Sequence, residues 1–405
     1  MNQKRIIELQ SAYDTFQAEG LRLDLTRGKP SAEQLDLAND IDGILRGFYI
    51  LQDGTDVRNY GGLLGIPEAR RLGADLIGTD EANVMAAGNS SLTLMYQYIE
   101  HQLETWRTLG HETLKFLCPV PGYDRHFSVC EHFGIEMICV EMTETGPNMD
   151  QIEALVQRDP SIIGIWCVPK YSNPTGHTYS KETVRRFANL PNLAGNNFQI
   201  MWDNAYIVHH INDYPDKLPD LFALAKKNGA ADQIAIFAST SKITMAGSGV
   251  AFMASTPNQL GRFETYLSDQ TIGFDKVNQL RHVHFLKDAA GIEAHMAKHR
   301  LLIKPKFDLV LSKLATLDGR NIASWTQPNG GYFISLNTRP GLADVVVDLA
   351  AGAGVKLTPA GSTFPYGKDP LNQNIRIAPT YPSIDELDLA MDVFVTCLEL
   401  ATLRD

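Results

Sequence analysis

The chain has 405 residues, and at about 150 residues per domain this length predicts two or three domains. Hydrophobic residues make up 44% and charged residues 20%, values typical of a globular protein, which excludes disordered, collagen-like and coiled-coil chains. The 36 Lys and Arg against 47 Asp and Glu give a net charge of −11. Because nucleic acids and membrane surfaces are polyanions, this charge argues against both as partners.

The cysteines and the N-terminal residues bear on compartment and metal content. Five widely spaced cysteines without a CxxC pair favour neither a disulfide framework nor a zinc site. The histidines at 209–210, 282 and 284 lack Cys or carboxylate partners at metal-ligand spacing, so no metal site is predicted. The N-terminus lacks a signal-peptide pattern, and no stretch approaches the roughly 20 apolar residues of a membrane span. We expect a reduced, cytoplasmic protein.

Helical patterns dominate the first hundred residues. Residues 1–20 are predicted to form a helix, and residues 24–39 a loop that enters a further helix. The segments 67–78 and 91–106 carry apolar residues at helical spacing.

Five short apolar runs then alternate with amphipathic stretches. Runs that are apolar on both faces are typical of strands in a mostly parallel sheet that helices cover on both sides. Catalytic groups in such sheets gather beyond the carboxyl ends of the strands. The runs are TLKFLCPV, IEMICVEM, IIGIWCVP, FQIMWDNAY and QIAIFAST.

The remaining residues predict a second, smaller unit. Residues 267–300 have a helical pattern, and one long helix there would link two domains. Residues 301–405 mix helices with the short strands GGYFISL, GVKLTPA and NQNIRIAP, which indicates an α+β domain. The basic residues of 296–306 recur at helical spacing and predict a solvated helix face rather than a nucleic-acid patch.

Four fragments at the ends of predicted elements carry polar residues. Lys242 follows the run QIAIFAST, and Asp203 ends FQIMW with Tyr206 three residues later. Asn173 begins NPTG after IIGIWCVP, and GNSSL opens the helix at residue 91. Alone, each fragment has an ordinary explanation as a surface lysine, a strand end, a turn or a helix cap. Their joint occurrence at element ends points to one site.

Together these residues supply what pyridoxal 5′-phosphate requires. Lys242 can form a Schiff base and move the substrate Cα proton, and Asp203 can keep the pyridine nitrogen protonated. Asn173 and Tyr206 can hydrogen-bond the phenolic oxygen of the ring. The phosphate would lie at a helix N-terminus, against amides, hydroxyls and the positive end of the helix dipole. The residues at that N-terminus are Asn89, Ser90 and Ser91.

With these motifs the chain resembles the fold-type I pyridoxal-phosphate aminotransferases of class I/II, the aspartate aminotransferase superfamily, over nearly its whole length. LDLTRGKPS and STSKITMAG are similar to a branch related to the aminotransferase-like module of MocR-type regulators. The resemblance implies an α/β PLP-dependent transferase fold whose large domain has a mixed, mostly parallel sheet between helices. It implies an N-terminal segment of the small domain at 1–45, a large cofactor domain at 46–285 and a C-terminal small α+β domain at 286–405.

The resemblance also implies roles for residues outside the four fragments. Tyr123 fits the aromatic residue that stacks on the pyridine ring, and His126 fits the histidine that supports Asp203. Arg376 in NIRIAP fits the arginine that binds the substrate α-carboxylate, and Gly28 in TRGKP fits the glycine that lines this position. The ordinary alternatives are a core aromatic residue, a core histidine and a surface ion pair.

The phosphate end departs from the family pattern. Tyr60 fits the tyrosine that reaches the phosphate of a neighbouring subunit, which implies a homodimer with shared sites, although it could simply lie in a loop. Ser239 fits a phosphate ligand. Relatives usually carry a phosphate-binding arginine shortly after the lysine, where this chain has Gly249 or Val250. The phosphate must then rely more on hydroxyls, including that of Ser241, on backbone amides and Tyr60, or on a cation from elsewhere in the chain, and weaker cofactor binding is expected.

The implied activity is that of an aspartate aminotransferase, which passes an amino group from aspartate or glutamate to a 2-oxo acid such as 2-oxoglutarate by a ping-pong mechanism. A distal substrate carboxylate requires a second cation, for which Arg27, Lys29 and Arg281 are candidates. Three alternatives remain open: an aminotransferase for another amino acid, a pyridoxal-phosphate lyase or decarboxylase, and a ligand-sensing regulator. Arg376 disfavours decarboxylation, and no basic recognition helix precedes Tyr60.

Overall fold

Five neighbouring strands run parallel at the centre of the largest sheet in the computed structural model, which describes residues 2–110, 113–195 and 197–405. The strands of the molecule are β1 Leu23–Asp24, β2 Val84–Ala86, β3 Lys115–Val120, β4 Glu136–Thr143, β5 Gly146–Pro147, β6 Ile162–Cys167, β7 Gln199–Asp203, β8 Ile234–Ser239, β9 Ala251–Ala254, β10 Ala323–Trp325, β11 Ile334–Thr338, β12 Val355–Lys356 and β13 Asn374–Ile377. The large sheet has the order β2-β9-β8-β7-β6-β3-β4-β5. The five predicted apolar runs form β3, β4, β6, β7 and β8, which are the parallel strands.

Helices cover both faces of this sheet. The helices of the described residues, including those that pack around the smaller sheet, are α1 Asn2–Glu19, α2 Ala32–Asp36, α3 Pro67–Ile77, α4 Ser91–Thr108, α5 Asp124–Phe133, α6 Met149–Arg158, α7 Lys181–Ala194, α8 Leu221–Lys227, α9 Pro257–Ser268, α10 Lys276–Leu286, α11 Ala289–Ala315, α12 Ala343–Gly352 and α13 Ile384–Arg404. One hydrophobic cluster joins α4, α5 and α9 to one face, and another joins α3, α6, α7 and α8 to the opposite face. Every residue of β6 and β7 is buried, which explains why these runs are apolar without alternation. No helix within the described ranges is both long and apolar enough to cross a lipid bilayer.

An antiparallel strand determines where Lys242 lies. β9 pairs antiparallel with β8, with Ser239 opposite Ala251, so residues 240–250 connect two adjacent strand ends. Antiparallel neighbours can be joined by a short connection, whereas parallel strands require a long crossover. The connection therefore holds Lys242 at the carboxyl end of β8.

The helical pattern of residues 267–300 is correct in type but does not form one helix. α9 ends at Ser268, α10 spans Lys276–Leu286 and α11 begins only at Ala289. Lys287 has a φ of +67°, outside the helical region, and the Asp288 carboxylate caps α11 by accepting a hydrogen bond from the Gly291 amide. The expected single linking helix is thus replaced by two.

The prediction of a solvated basic face on residues 296–306 is wrong for part of the segment. Lys306 is buried, and its Nζ donates a hydrogen bond of 2.9 Å to the Thr380 carbonyl. His299 is buried as well. Pairing of this buried ammonium with a carbonyl replaces its lost hydration, which sequence periodicity does not reveal.

Both ends of the chain pack together around a smaller sheet. β11 lies between β10 and β13 and is antiparallel to both, and β1 pairs parallel with β12. α1 packs against α13, where the Arg5 guanidinium binds the buried Glu399 carboxylate at 3.0 Å. A third hydrophobic cluster joins these elements. The predicted domain limits at residues 45 and 285 stay predictions.

Candidate active site

A cavity of about 470 Å³ lies beyond the carboxyl ends of the central strands, between the large sheet and β13. Asp203 is the last residue of β7, Asn173 follows β6, and Lys242 follows β8. The cavity is lined by seven of the residues predicted for the site: Lys242, Asn173, Tyr206, Tyr123, Gly28, Arg27 and Arg376. Residues far apart in sequence therefore converge in one place, as expected for polar groups at the carboxyl edge of a parallel sheet.

Asp203 is buried with one of its two oxygens unpaired. His126 Nε2 donates to Asp203 Oδ2 at 3.0 Å, and the imidazole stacks on the Trp166 ring with centroids 4.2 Å apart and 8° between the planes. Asp203 Oδ1 has no hydrogen-bond partner among the described residues. A buried carboxylate oxygen is costly to leave unpaired, so this position is suited to a donor from a bound molecule.

Lys242 occupies an environment that favours its neutral amine. Burial lowers the pKa of the Lys242 ammonium, although the negative charge of Asp203 acts in the opposite direction. The Lys242 Nζ lies 5.0 Å from the centroid of the Tyr206 ring. Burial also raises the pKa of the Tyr206 hydroxyl well above its ordinary value, so Tyr206 stays protonated and can donate.

Arg376 lies in β13, opposite Ser335 of β11, and only 6% of it is exposed. Its Nη1 donates to Asp124 Oδ1 at 3.2 Å and to Asn173 Oδ1 at 3.3 Å. The Phe333 ring lies 4.8 Å from the guanidinium carbon. Arg376 Nε is buried without a partner among the described residues. The arginine is thus paired with a carboxylate yet keeps one buried donor without a partner among the described residues.

Tyr123 and Asn173 stand on the wall between Lys242 and Arg376. Burial, with a further contribution from the charge of Asp203, raises the pKa of the Tyr123 hydroxyl. The Tyr123 ring contacts His126 edge to face at a centroid distance of 4.9 Å. The Asn173 amide accepts from Arg376 through its oxygen, so its NH₂ group remains able to donate.

The N-terminus of α4 lies next to the connection that carries Lys242, although its residues do not line the cavity. Ser90 is the N-cap, and its Oγ accepts from the Thr93 amide at 3.3 Å. Ser241 Oγ donates to the Asn89 carbonyl at 3.0 Å, which ties the lysine-bearing connection to this helix. Ser239 Oγ accepts from the Ser241 amide at 3.4 Å. Ser91 is the first helical residue, and the first-turn amides have no partner within the helix.

The structure brings no arginine or lysine into hydrogen-bonding or ion-pair contact with these serines, as far as the described residues extend. Gly249, where relatives would place a cation, lies against the backbone of Ser241: a Cβ there would be 3.0 Å from the Ser241 amide nitrogen. Val250 is buried, and its amide donates to Thr240 Oγ1 at 2.8 Å. Neither position leaves room for an arginine without rearrangement.

Only some of the proposed distal cations line the cavity. Arg27 and Lys29 line it and are exposed, whereas Arg281 does not contribute to its wall. Lys29 Nζ lies 3.7 Å from the centroid of the Tyr381 ring. Gly28 between them is required by close packing, because a Cβ would lie 2.5 Å from the Phe333 ring.

Sequence reasoning missed several residues of the wall. Asp124 directly follows Tyr123 and is the carboxylate partner of Arg376, which nothing in its own segment signals. The basic residues Arg125 and Lys356 also line the cavity. Lys356 belongs to β12, which reaches the cavity through its parallel pairing with β1, and nothing in its own segment signals this.

Tyr60 is not in this cavity. Its side chain is 84% exposed, and the loop that carries it is held by Lys276, whose Nζ donates to the Gly61 carbonyl at 2.5 Å. A tyrosine in a fixed loop but exposed to solvent is available for contact with another molecule.

Comparisons with known proteins match nearly the full length of the chain to aminotransferases. The family model for aspartate amino-transferase matches residues 3–405. An aspartate aminotransferase of Corynebacterium glutamicum is 43% identical over 404 residues, which cover 97% of this chain and 93% of that protein. A solved aspartate transaminase structure from the same species is 41% identical with a TM-score of 0.94, covering 100% of this chain and 96% of that one. A solved structure from Corynebacterium diphtheriae is 45% identical with a TM-score of 0.95, covering 98% and 100%. These matches confirm the predicted fold class.

Proposed function

We propose, since this chain belongs to the aspartate aminotransferase family and is an aminotransferase, that it transfers the amino group of aspartate or glutamate to a 2-oxo acid such as 2-oxoglutarate. One observation carries this proposal: a half-buried lysine amine and a buried guanidinium, on Lys242 and Arg376, line the same 470 Å³ cavity. A transamination site requires at least an amine that reacts and a guanidinium whose paired N–H donors bind the α-carboxylate. The C. glutamicum relative named as an aspartate aminotransferase supports the choice of substrate.

The residues fit pyridoxal 5′-phosphate as cofactor. The unpaired Asp203 Oδ1 would accept a hydrogen bond from a protonated ring nitrogen, which would remove the cost of a buried, unpaired oxygen. Asn173 and Tyr206 would donate to the phenolic oxygen, and Tyr123 would lie against the ring. Lys242 would attach the cofactor through its amine, and His126 would hold the Asp203 carboxylate in place. When bound, the cofactor supplies an electron sink for the charge that develops on the substrate Cα.

The phosphate would be held mainly without cations from this chain. The candidates are the first-turn amides of α4 with Ser91, and the hydroxyls that already join this helix to the lysine connection. We propose Asn89, Ser90, Ser91, Ser239 and Ser241 as this end of the cofactor site. Because a bidentate guanidinium is a strong phosphate ligand, the cofactor should dissociate more readily than from relatives that carry the arginine. Retention through dialysis equal to that of such relatives would contradict this point.

Lys242 would also move the proton. Burial lowers the pKa of Lys242, which favours the neutral amine, and a neutral Nζ can accept the proton from the substrate Cα and deliver it again. Buried tyrosines around it exclude water from the path of this proton.

Arg376 would exchange one carboxylate for another. In the structure its Nη1 is paired with Asp124 at 3.2 Å and with Asn173 at 3.3 Å, and the substrate α-carboxylate would take over this donor from Asp124. For the distal carboxylate of aspartate we propose Arg27, since it lines the cavity, is exposed, and lies directly beside Gly28. Lys29 faces Tyr381 instead, and Arg281 lies outside the cavity wall.

We propose a homodimer in which Tyr60 reaches the phosphate of the partner subunit, which its 84% exposure on a fixed loop supports. Mixing inactive Lys242→Ala subunits with weakly active Tyr60→Phe subunits tests this. If sites are shared, mixed dimers regain sites that are intact in both residues, and activity rises above that of either variant. Activity equal to the average of the two variants would contradict sharing.

The decisive experiment for the reaction is a half-reaction. The cofactor-loaded enzyme is mixed with aspartate alone, without an acceptor, and the absorbance of the cofactor is followed while the 2-oxo acid is assayed. We expect complete conversion of the cofactor to its amine form with one 2-oxo acid released per site. A lyase or decarboxylase would release product without that conversion, and faster conversion by alanine or an aromatic amino acid would overturn the choice of substrate.

A further inference from the structure

Two consecutive backbone carbonyls at the Schiff-base lysine are each bound by two side chains. The Lys242 carbonyl accepts from His209 Nε2 at 3.3 Å and from the Tyr332 hydroxyl at 3.4 Å. The Ile243 carbonyl accepts from His295 Nε2 at 2.7 Å and from His299 Nε2 at 2.8 Å. A carbonyl oxygen has two lone pairs, so both acceptors are saturated.

The carbonyls need these partners because of the local backbone. Residues 240–244 form one helical turn, in which the amides of Ile243 and Thr244 donate to the Thr240 carbonyl at 2.8 and 2.7 Å. The turn does not continue, so its last carbonyls have no amide partner, as at the end of any helix. Side chains from distant segments take the place of the missing amides: His209 follows β7, and both histidines on the Ile243 carbonyl belong to α11.

Gln34 determines the direction of the hydrogen bonds. A carbonyl only accepts, so His299 Nε2 carries the hydrogen and its Nδ1 accepts from Gln34 Nε2 at 3.2 Å. The Gln34 nitrogen donates its second hydrogen to the Tyr332 oxygen at 2.9 Å, so the Tyr332 hydroxyl hydrogen is left to bind the Lys242 carbonyl. The Gln34 oxygen accepts from the Ser31 amide at 3.1 Å, so the amide cannot turn round without losing that bond.

The surroundings keep this arrangement neutral and dry. Gln34, Tyr332, His209, His295 and His299 are each 5% exposed or less. Burial, with a smaller effect of the neighbouring His295, lowers the pKa of His299 to about 4, so its Nδ1 remains an acceptor at neutral pH. Each donor of this buried network has an acceptor, while His209 Nδ1 has no partner among the described residues, and such a hydrogen-bonded network favours a single geometry.

On the premise that Lys242 carries the cofactor, we propose that Gln34, Tyr332 and His299 form a positioning network that fixes the backbone of Lys242, so that its amine occupies one position at the reacting carbon. These are positioning residues, because they act through the Lys242 and Ile243 carbonyls and do not line the substrate cavity. Gln34 organises the network from α2, more than two hundred residues before the lysine.

Two nearly isosteric variants test the network. Tyr332→Phe removes only the hydroxyl, and Gln34→Glu keeps the oxygen that accepts from Ser31 but removes both N–H donors. The matched control is Tyr98→Phe, since Tyr98 is also fully buried and its hydroxyl donates to Gln199 at 2.9 Å, away from the lysine connection. In the loaded enzyme we expect both network variants to lower kcat about tenfold, less than the ~100-fold that a misplacement of 1 Å can cost. KM for aspartate should change less than twofold, because Arg376 is untouched.

The second readout uses cofactor-free protein. Hydrogen exchange of the amides in residues 241–246 should become several-fold faster in both network variants, because they remove hydrogen bonds that hold the turn of residues 240–244. Exchange should stay unchanged in Tyr98→Phe, which removes none of these bonds. Unchanged kcat and exchange in both variants, or an equal loss in the control, would overturn the network. A wild-type protein that forms no imine with pyridoxal phosphate would instead overturn the proposed function, and the exchange result would still stand on its own.

Discussion

The two ends of the proposed site for cofactor and substrate present positive charge to a ligand by different means. At one end the buried guanidinium of Arg376 is balanced by Asp124 and fixed by Asn173. At the other end the N-terminus of α4 and its surrounding hydroxyls carry only partial charges, in a region where relatives place an arginine. In a low-dielectric site, one full charge contributes most of the binding free energy of an anion. Where several dipoles bind the anion, each contributes only a small part of that free energy. Loss of one group should therefore be severe at the first end and mild at the second.

The largest expected effect concerns the residue between the two ends. Lys242→Ala should abolish turnover and the imine absorption band, because no other amine lines the cavity at that position. Steady-state assays and absorbance spectra measure both. Lys170→Ala is the matched control, since desolvation also lowers the pKa of the buried Lys170, to about 8, but Lys170 lies outside the cavity. An active Lys242→Ala enzyme would refute the mechanism.

Arg376→Gln tests the charged end. It leaves Asp124 unpaired and removes the fork for the substrate carboxylate, so kcat/KM for aspartate should fall about 1,000-fold, the order expected for a buried charge partner. Cofactor affinity, measured by fluorescence titration, should stay within a few-fold. Arg376→Lys keeps the charge without the fork and should recover only part of the loss. An equal loss of cofactor affinity would mean that the two ends are not independent.

A pH titration of stability probes the histidines beneath Lys242. The His299 pKa is lowered to about 4 by burial, so between its unfolded value near 6.5 and pH 4 the unfolded chain binds a proton that the native chain does not. The free energy of unfolding should thus decrease as pH falls through this window, by up to about 3 kcal/mol from this group. Urea unfolding at several pH values measures it, and His299→Gln should show a shallower slope. Identical slopes in the two proteins would argue against a neutral, buried His299.

Ser239→Ala with Ser241→Ala tests the uncharged end. The double variant should raise the cofactor Kd about fivefold, the order of one typical net hydrogen bond, while KM for aspartate stays unchanged. Fluorescence titration of the cofactor-free protein measures the first and kinetics at saturating cofactor the second. A 1,000-fold loss of cofactor affinity would show that binding at the α4 end depends on one or two groups, as binding at the Arg376 end does.

Asp124→Asn should have the smallest effect and the opposite sign. Removing the carboxylate that competes for Arg376 should lower KM for aspartate about threefold, because the pair is partly exposed and its attraction is screened. Inhibition by a non-reactive dicarboxylate should strengthen in parallel. A higher KM would show that Asp124 is needed to orient the guanidinium.

The parts of this molecule that follow from local sequence differ from those that do not. The five central strands, and with them Asp203 and Lys242, could be predicted because apolar runs mark buried strands and the carboxyl edge gathers their following residues. Asp124 and Lys356 could not, because they enter the cavity only through the packing of the small sheet over the large one. The burial of His299 could not be predicted either, because periodicity indicates which residues share a helix face but not whether another element covers that face.

The pairing of Ser239 with Ala251 has a consequence for chain length. Because both ends of residues 240–250 are fixed in adjacent strands, the number of residues in between determines how far Lys242 stands from the sheet. One inserted residue before the lysine would displace it by up to about 3.5 Å, more than a hydrogen-bond length, with no way to absorb the excess at either strand. Substitutions on the exposed side of this connection can be accommodated, whereas insertions or deletions ahead of the lysine cannot.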